Sequence, residues 1–264
     1  MQRTPLITYS NVRKSFSGAA GAVTAVDDVS LEIAEGEFLA IVGGSGSGKT
    51  TLLRLTNRLI EADGGTIRIA GEDIGRLEPV SLRRRIGNVF QNGALFPHMT
   101  VAANIGITPR LLGTPANEIA ARVDELLGLV QLDRTAHRDR LPHELSGGQR
   151  QRVGVARALA AKPRIVLMDE PFGALDPLTR DALGQDYRAL HDKLGLTTLM
   201  ITHDITEALL LADRIAVMRT GRLVEVGTSA ELAASREAYV TELMTTPRRQ
   251  AARLAALLPE SGAA

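Results

Sequence analysis

The chain has 264 residues, 44% hydrophobic and 23% charged, with a formal net charge of +1. That balance fits one sizeable globular core, with no bulk electrostatic pull toward nucleic acid. Cysteine is absent, which excludes a disulfide framework and thiolate-ligated metal, and no run nears the ~18 unbroken apolar residues of a membrane helix.

The first ninety residues read as strands with one helix. Residues 6–12 and 29–33 alternate apolar and polar side chains, as half-buried strands do. Phe38–Val42 is continuously apolar and fits a strand covered on both faces of a sheet. It runs into a glycine-rich turn and then a helical segment, 50–59; 66–69 and 86–90 read as further strands. From about Thr100 to Ala161 the spacing becomes helical. Ile119, Val123, Leu126, Leu127 and Val130 share one face, and Pro97, Pro109, Pro115 and Pro142 mark turns between several helices. Strand character returns at 165–168, 198–201, 214–218 and 223–226, with Ile205–Leu211 helical between them. The layout is an α/β core with a mostly parallel sheet, interrupted by a helical insertion. The tail after Tyr239, with Arg248, Arg249 and Arg253, reads as a solvated terminal helix.

The turn is Gly43-Gly44-Ser45-Gly46-Ser47-Gly48-Lys49-Thr50, the Walker A pattern in its strand–turn–helix setting. Bare glycine amides curl around phosphate oxygens, and the helix start adds partial positive charge. Lys49 would reach the β and γ phosphates of a nucleotide, and the Thr50 hydroxyl would ligate Mg²⁺. The strand Ile165-Val166-Leu167-Met168 ends in Asp169 and Glu170. The C-terminal end of a parallel strand opens on the ligand crevice. Asp169 there can hold Mg²⁺ through water, and Glu170 can poise a water for in-line attack on the γ-phosphate.

Leu145-Ser146-Gly147-Gly148-Gln149 opens a helical run, 150–160. Ser before two glycines is a second anion seat, although alone it reads equally as an ordinary N-cap. The loop at 43–50 already wraps one nucleotide, so a second seat makes sense facing the γ-phosphate held by another copy, in a twofold pair.

With these motifs together, the chain resembles the ATP-binding subunits of ABC transporters over about residues 7–227. Residues 145–149 resemble the signature sequence, placing Ser146, Gly147, Gly148 and Gln149 on the nucleotide of the opposite subunit. Phe16, with Val23 nearby, resembles the aromatic residue that stacks on adenine, although alone Phe16 reads as core. Gln91 resembles the Q-loop glutamine that touches Mg²⁺ and links to the membrane partner. Gly173-Ala174-Leu175-Asp176 resembles the D-loop, with Asp176 reaching across the dimer. His203 resembles the switch histidine that contacts the γ-phosphate. Thr51 extends the phosphate-binding set.

The resemblance implies a P-loop NTPase (RecA-like) core with an N-terminal antiparallel β-subdomain and a helical insertion. Residues 1–90 and 160–238 would form the ATP-binding core, 91–159 the Q-loop and helical part, and 239–264 the tail. It implies ATP hydrolysis with Glu170, His203 and Lys49 as the catalytic set. Implied partners are a second copy, transmembrane permease subunits and a periplasmic or extracellular solute-binding protein, and no nucleic acid; the place is the cytoplasmic face of the plasma membrane. The segment 92–105, with apolar Leu95-Phe96-Pro97-His98-Met99, would transmit movement.

Within the family, Asn57-Arg58-Leu59-Ile60-Glu61, Leu82-Arg83-Arg84-Arg85-Ile86-Gly87, Leu95-Phe96-Pro97-His98-Met99-Thr100 and Pro142-His143-Glu144-Leu145 resemble importers of quaternary amines such as glycine betaine, choline and carnitine. The paired C-terminal regulatory domains of many such members are not expected here, and Val89-Phe90-Gln91-Asn92-Gly93-Ala94 is less typical. Another ABC importer or exporter, or a non-transport ABC ATPase, is the alternative.

Overall fold

The computed structural model describes residues 4–18 and 21–257. An antiparallel sheet comes first: β1 (Pro5–Gly18), β2 (Gly21–Ala34), β4 (Gly64–Ile69) and the short β5 (Glu72–Asp73), in the order β2-β1-β4-β5. The second sheet holds β3 (Phe38–Val42), β6 (Ile86–Val89), β7 (Ile165–Asp169), β8 (Thr197–Thr202), β9 (Arg214–Arg219) and β10 (Arg222–Gly227). Its order is β10-β9-β3-β8-β7-β6, parallel throughout except for the antiparallel β10.

The continuous apolar runs have the expected cause. Side chains alternate across a strand, and both faces of the second sheet are covered. Phe38, Ala40, Val42, Val166, Met168 and Met200 point into one core. Leu39, Ile41, Ile165, Leu167, Leu199 and Ile201 point into the other, with Leu52, Leu53 and Leu55 of α1 (Lys49–Thr56) and the apolar face of the antiparallel sheet. The first core is closed by α3 (Val101–Ile105), α5 (Ala116–Leu129), α7 (Gly147–Leu159), α8 (Pro177–Leu194) and α9 (Ile205–Leu211). Between these lie α2 (Pro79–Arg84), α4 (Ile107–Leu111) and α6 (Arg134–His137); α10 (Ser229–Ala233) and α11 (Ala238–Leu257) follow β10.

Several boundaries differ from the sequence reading. β1 and β2 each run 14 residues, longer than their buried stretches, because the hairpin continues outward with both faces exposed beyond Val12 and before Val26. Helix α1 stops at Thr56 rather than Leu59, since Arg58 turns into the left-handed region at φ 51°. α2 carries no long apolar period and was not expected. Glu78 caps it by accepting from Val80 N–H at 2.9 Å and from Ser81 N–H, and those backbone donors hold its carboxyl below the usual range. Ile119, Val123, Leu126 and Leu127 are buried along α5 as their spacing predicts. Pro109 lies within α4, whereas Pro115 and Pro142 stand at element starts.

Candidate functional site

Three adjacent parallel strands end together. Val42 pairs with Thr202 across β3 and β8, and Asp169 pairs with Ile201 across β7 and β8. The turns that leave these ends therefore converge, and each carries one of the expected residues.

From β3 the chain enters the glycine loop. Gly43 has φ 155°, and a β-carbon there would lie 2.1 Å from the Met218 carbonyl oxygen. Gly48, at φ 100°, would meet the Ala25 carbonyl oxygen at 2.1 Å. Backbone from β9 and β2 thus presses the loop into shape, and only glycine fits. Gly221 N–H tightens it further by donating to Ser47 C=O at 3.0 Å. Gly48 caps α1 without a side-chain acceptor, so the first-turn amides of α1, next to Thr50 and Thr51, face outward as anion donors.

The Lys49 ammonium folds into the loop and donates to Gly43 C=O at 2.7 Å, to Gly44 C=O at 3.0 Å and to Ser47 Oγ at 3.4 Å. Burial pushes its pKa down, against the nearby carboxylates of Glu170 and Asp169. Asp169, at the end of β7, has its carboxyl raised by burial first; Glu170 adds to this while Arg54 and Lys49 oppose it. Glu170 sits in a left-handed turn at φ 45°, pinned by its N–H donating to Ile201 C=O at 3.0 Å. Its Oε2 lies 3.2 Å from His203 Nδ1, beyond the end of β8. Gln91 closes the far side: a β-carbon on Gly173 would stand 3.8 Å from both Gln91 Nε2 and Glu170 Oε2.

These donors fit a hard cation such as Mg²⁺, whose ligands are oxygens. Thr50, Asp169 and Gln91 offer a hydroxyl, a carboxylate and an amide, and burial raises the Asp169 carboxyl, a cost that a bound cation would offset. Among the described residues no group of three His, Cys, Asp or Glu side chains could hold a metal unaided.

The remaining expected residues form two further groups. Phe16 pairs with Val23 near the Gly18–Gly21 end of the β1–β2 hairpin, both exposed (43% and 65%), and Val23 lies two residues from the Ala25 carbonyl that meets the loop. Phe16 is therefore not core; the Lys14 ammonium lies 5.5 Å from its ring centroid. Ser146 caps α7 in a capping box: its hydroxyl accepts from Gln149 N–H at 3.2 Å, and Gln149 Oε1 accepts from Ser146 N–H at 2.9 Å. The box does not engage the amides of Gly147 and Gly148. Gly148 packs so closely on α8 that a β-carbon would lie 2.6 Å from Thr179 Cγ2. Asp176 caps α8 by accepting from Thr179 N–H at 3.0 Å, and the Thr179 hydroxyl, then its amide, hold the carboxyl low. The 146–149 and 173–176 segments thus sit side by side.

Sequence reasoning missed three residues here. Arg180 joins the 173–176 turn to the His203 turn, donating to Leu175 C=O at 3.2 Å and to Asp204 Oδ2 at 3.3 Å. Glu207 on α9 is 8% exposed, and burial pushes its carboxyl up to about 7. Tyr239 accepts a hydrogen bond from Gly44 N–H at 3.1 Å. No motif marks Arg180 or Glu207; the two-residue offset of Asp204 from Thr206 as a helix cap was the nearest signal.

Comparison with known proteins bears on this geometry. A family profile described as ABC transporter matches residues 26–173. The chain is 49% identical over 227 residues to the choline transport ATP-binding protein OpuBA of Bacillus subtilis, covering 86% of this chain and 58% of that protein. It is 50% identical over 222 residues to the glycine betaine uptake system ATP-binding protein YehX of Escherichia coli, covering 84% and 70%. The sulfate/thiosulfate import ATP-binding protein CysA of Nocardia farcinica is 49% identical over 227 residues, covering 86% and 66%. A solved dimer of the ATP-binding cassette MJ0796 with ADP and Pi superposes with a TM-score of 0.76 at 33% identity, covering 84% of this chain and 98% of that one. The chain thus spans little more than half the length of the first of these relatives. A glycine loop, two carboxylates and a histidine gathered at three strand ends, under a profile covering more than half the chain, leave one conclusion: this chain belongs to the ABC transporter family of ATP-binding proteins.

Proposed function

We propose that the chain is the ATP-hydrolysing subunit of an ABC importer, working in pairs on the cytoplasmic face of a membrane. The observation that carries this reading is the convergence of Lys49, Asp169, Glu170 and His203 at the ends of β3, β7 and β8.

On ATP binding, Lys49 leaves the loop carbonyls for the β and γ phosphates, while the amides of 43–51 surround them. Phe16 and Val23 offer an apolar platform to the base. Thr50, Asp169 and Gln91 would hold Mg²⁺, which neutralises phosphate charge when bound. Glu170 orients the attacking water, and His203, already 3.2 Å from that carboxylate, steadies it and meets the γ-phosphate. The open amides of Gly147 and Gly148, with Ser146, Gln149 and Asp176, close over the nucleotide of a second copy, as a twofold pair requires. The residues assigned divide the chain into an ATP-binding core (1–90 and 160–238), a Q-loop and helical part (91–159) and a tail (239–264).

The permease contact falls on the segment after Gln91. Phe96 is 41% exposed, yet its backbone is held rigid: Asn104 Oδ1 accepts from Phe96 N–H at 2.8 Å, and Asn104 Nδ2 donates to Phe96 C=O and Met99 C=O. An exposed apolar side chain on a fixed loop suits docking. Among the described residues no helix is long and apolar enough to cross a membrane, so the membrane path belongs to other chains in this reading.

The transported solute is a quaternary amine such as glycine betaine or choline, delivered by a solute-binding protein. The quoted sequence phrases and the names of OpuBA and YehX support this; CysA, 49% identical to this chain as OpuBA is, supports sulfate as the second reading. Glu170→Gln retains ATP, loses most turnover and forms a stable dimer on sizing with ATP; a monomer under those conditions refutes the paired site. In vesicles holding the permease and binding protein, glycine betaine raises ATPase activity; stimulation by sulfate instead reassigns the solute.

A further inference from the structure

The glycine loop is held from a direction that its motif does not reveal. Tyr239, on the first turn of α11, accepts from Gly44 N–H at 3.1 Å across 195 positions of sequence. Its ring is fixed on both sides of this contact. The Arg219 guanidinium, at the end of β9, lies 4.9 Å from the ring centroid, and the adjacent Val240 is fully buried in the core.

Gly44 is hydrogen-bonded through both its amide and its carbonyl. Its carbonyl accepts from Lys49 Nζ at 3.0 Å and from Ser47 N–H at 3.2 Å. Gly43 and Gly46 on either side lie at φ 155° and 76°, and Ser45 is the one side chain between them. A run of glycines loses much conformational freedom on adopting one shape, and a ligand that must impose the shape binds correspondingly weaker. The Met218 and Ala25 carbonyls brace Gly43 and Gly48; the Tyr239 hydroxyl is the brace on the peptide between Gly43 and Gly44.

We propose that Tyr239 is a positioning residue for nucleotide binding: its hydroxyl holds the Gly44 amide so that ATP meets a loop already shaped, and the seating of α11 thereby sets the affinity. This rests on the assignment of 43–51 as the ATP loop. Tyr239 touches none of the reacting groups, so its removal alters binding and leaves turnover at saturation.

The test uses the full chain and a fluorescent ATP analogue, with steady-state ATPase alongside. Tyr239→Phe keeps the ring and the Arg219 contact and removes only the acceptor. It weakens Kd and raises KM about 3- to 10-fold, the range of one neutral hydrogen bond, with kcat within about twofold and the nucleotide-free melting temperature held. A purely structural tyrosine shows the reverse, a lowered melting temperature with KM unchanged. Parental affinity in Tyr239→Phe overturns the proposal. A parent chain that binds no nucleotide refutes the ATP loop instead.

Discussion

Glu207→Gln should stabilise the protein, and only above a definable pH. The carboxyl is 8% exposed at the start of α9, and its Oε1 is buried without a hydrogen-bond partner. Burial raises its pKa from 4.5 to about 7, against a Thr202 hydrogen bond; Asp204 adds to the rise, while Arg180 and His203 oppose it. That displacement corresponds to ~3 kcal/mol carried by the charged form in the folded state. Because the folded pKa lies above the unfolded one, the cost is absent below about 4.5, grows between 4.5 and 7, and is complete above 7. The native protein therefore loses stability through that window as pH rises. The neutral amide does not titrate, so the variant's profile should be flatter there and exceed the parent by about 1–3 kcal/mol at pH 8, converging near pH 4.5. Urea denaturation of nucleotide-free protein at half-unit pH steps measures the difference, and other titrating groups cancel between the two proteins. Parallel profiles, or a variant less stable at pH 8, would refute the claim that Glu207 is buried at a cost.

Lys49→Ala removes a charge-assisted contact worth about 1.5–3 kcal/mol and should weaken ATP binding about 10- to 100-fold, read by analogue titration. Gly148→Ala places a β-carbon 2.6 Å from Thr179 Cγ2, so it should lower the melting temperature and also abolish the ATP-dependent dimer expected with Glu170→Gln. Tyr9→Phe breaks the buried 2.6 Å hydrogen bond to Thr56 Oγ1 and should cost about 1–2 kcal/mol in urea while leaving nucleotide affinity alone.

The loop at 43–50, the acids at the end of β7 and the two-faced strands were legible because each is local. A glycine-lysine spacing, a continuous apolar run and a strand ending in Asp-Glu all read from neighbouring residues. The α/β layout followed from the change of period near Thr100. What stayed hidden was long-range or weakly patterned. The tail reads as solvated because Arg248, Arg249 and Arg253 dominate it, yet Tyr239 and Val240 at its first turn are held by Gly44 and the core. Glu207 in a short apolar segment looks like a surface acid, since a lone carboxylate gives no sign of burial. Arg180 is one arginine among many until α8 and α9 are seen together. The extra length of β1 and β2 escaped notice because strands exposed on both faces lose their alternation.

Arg180 matters for what it ties together. Its guanidinium spans the turn that leads into Asp176 and the turn that follows His203. If the chain pairs as proposed, a second copy that displaced the first turn would pull on the second through this one side chain, coupling the two nucleotide sites without a change in the sheet beneath.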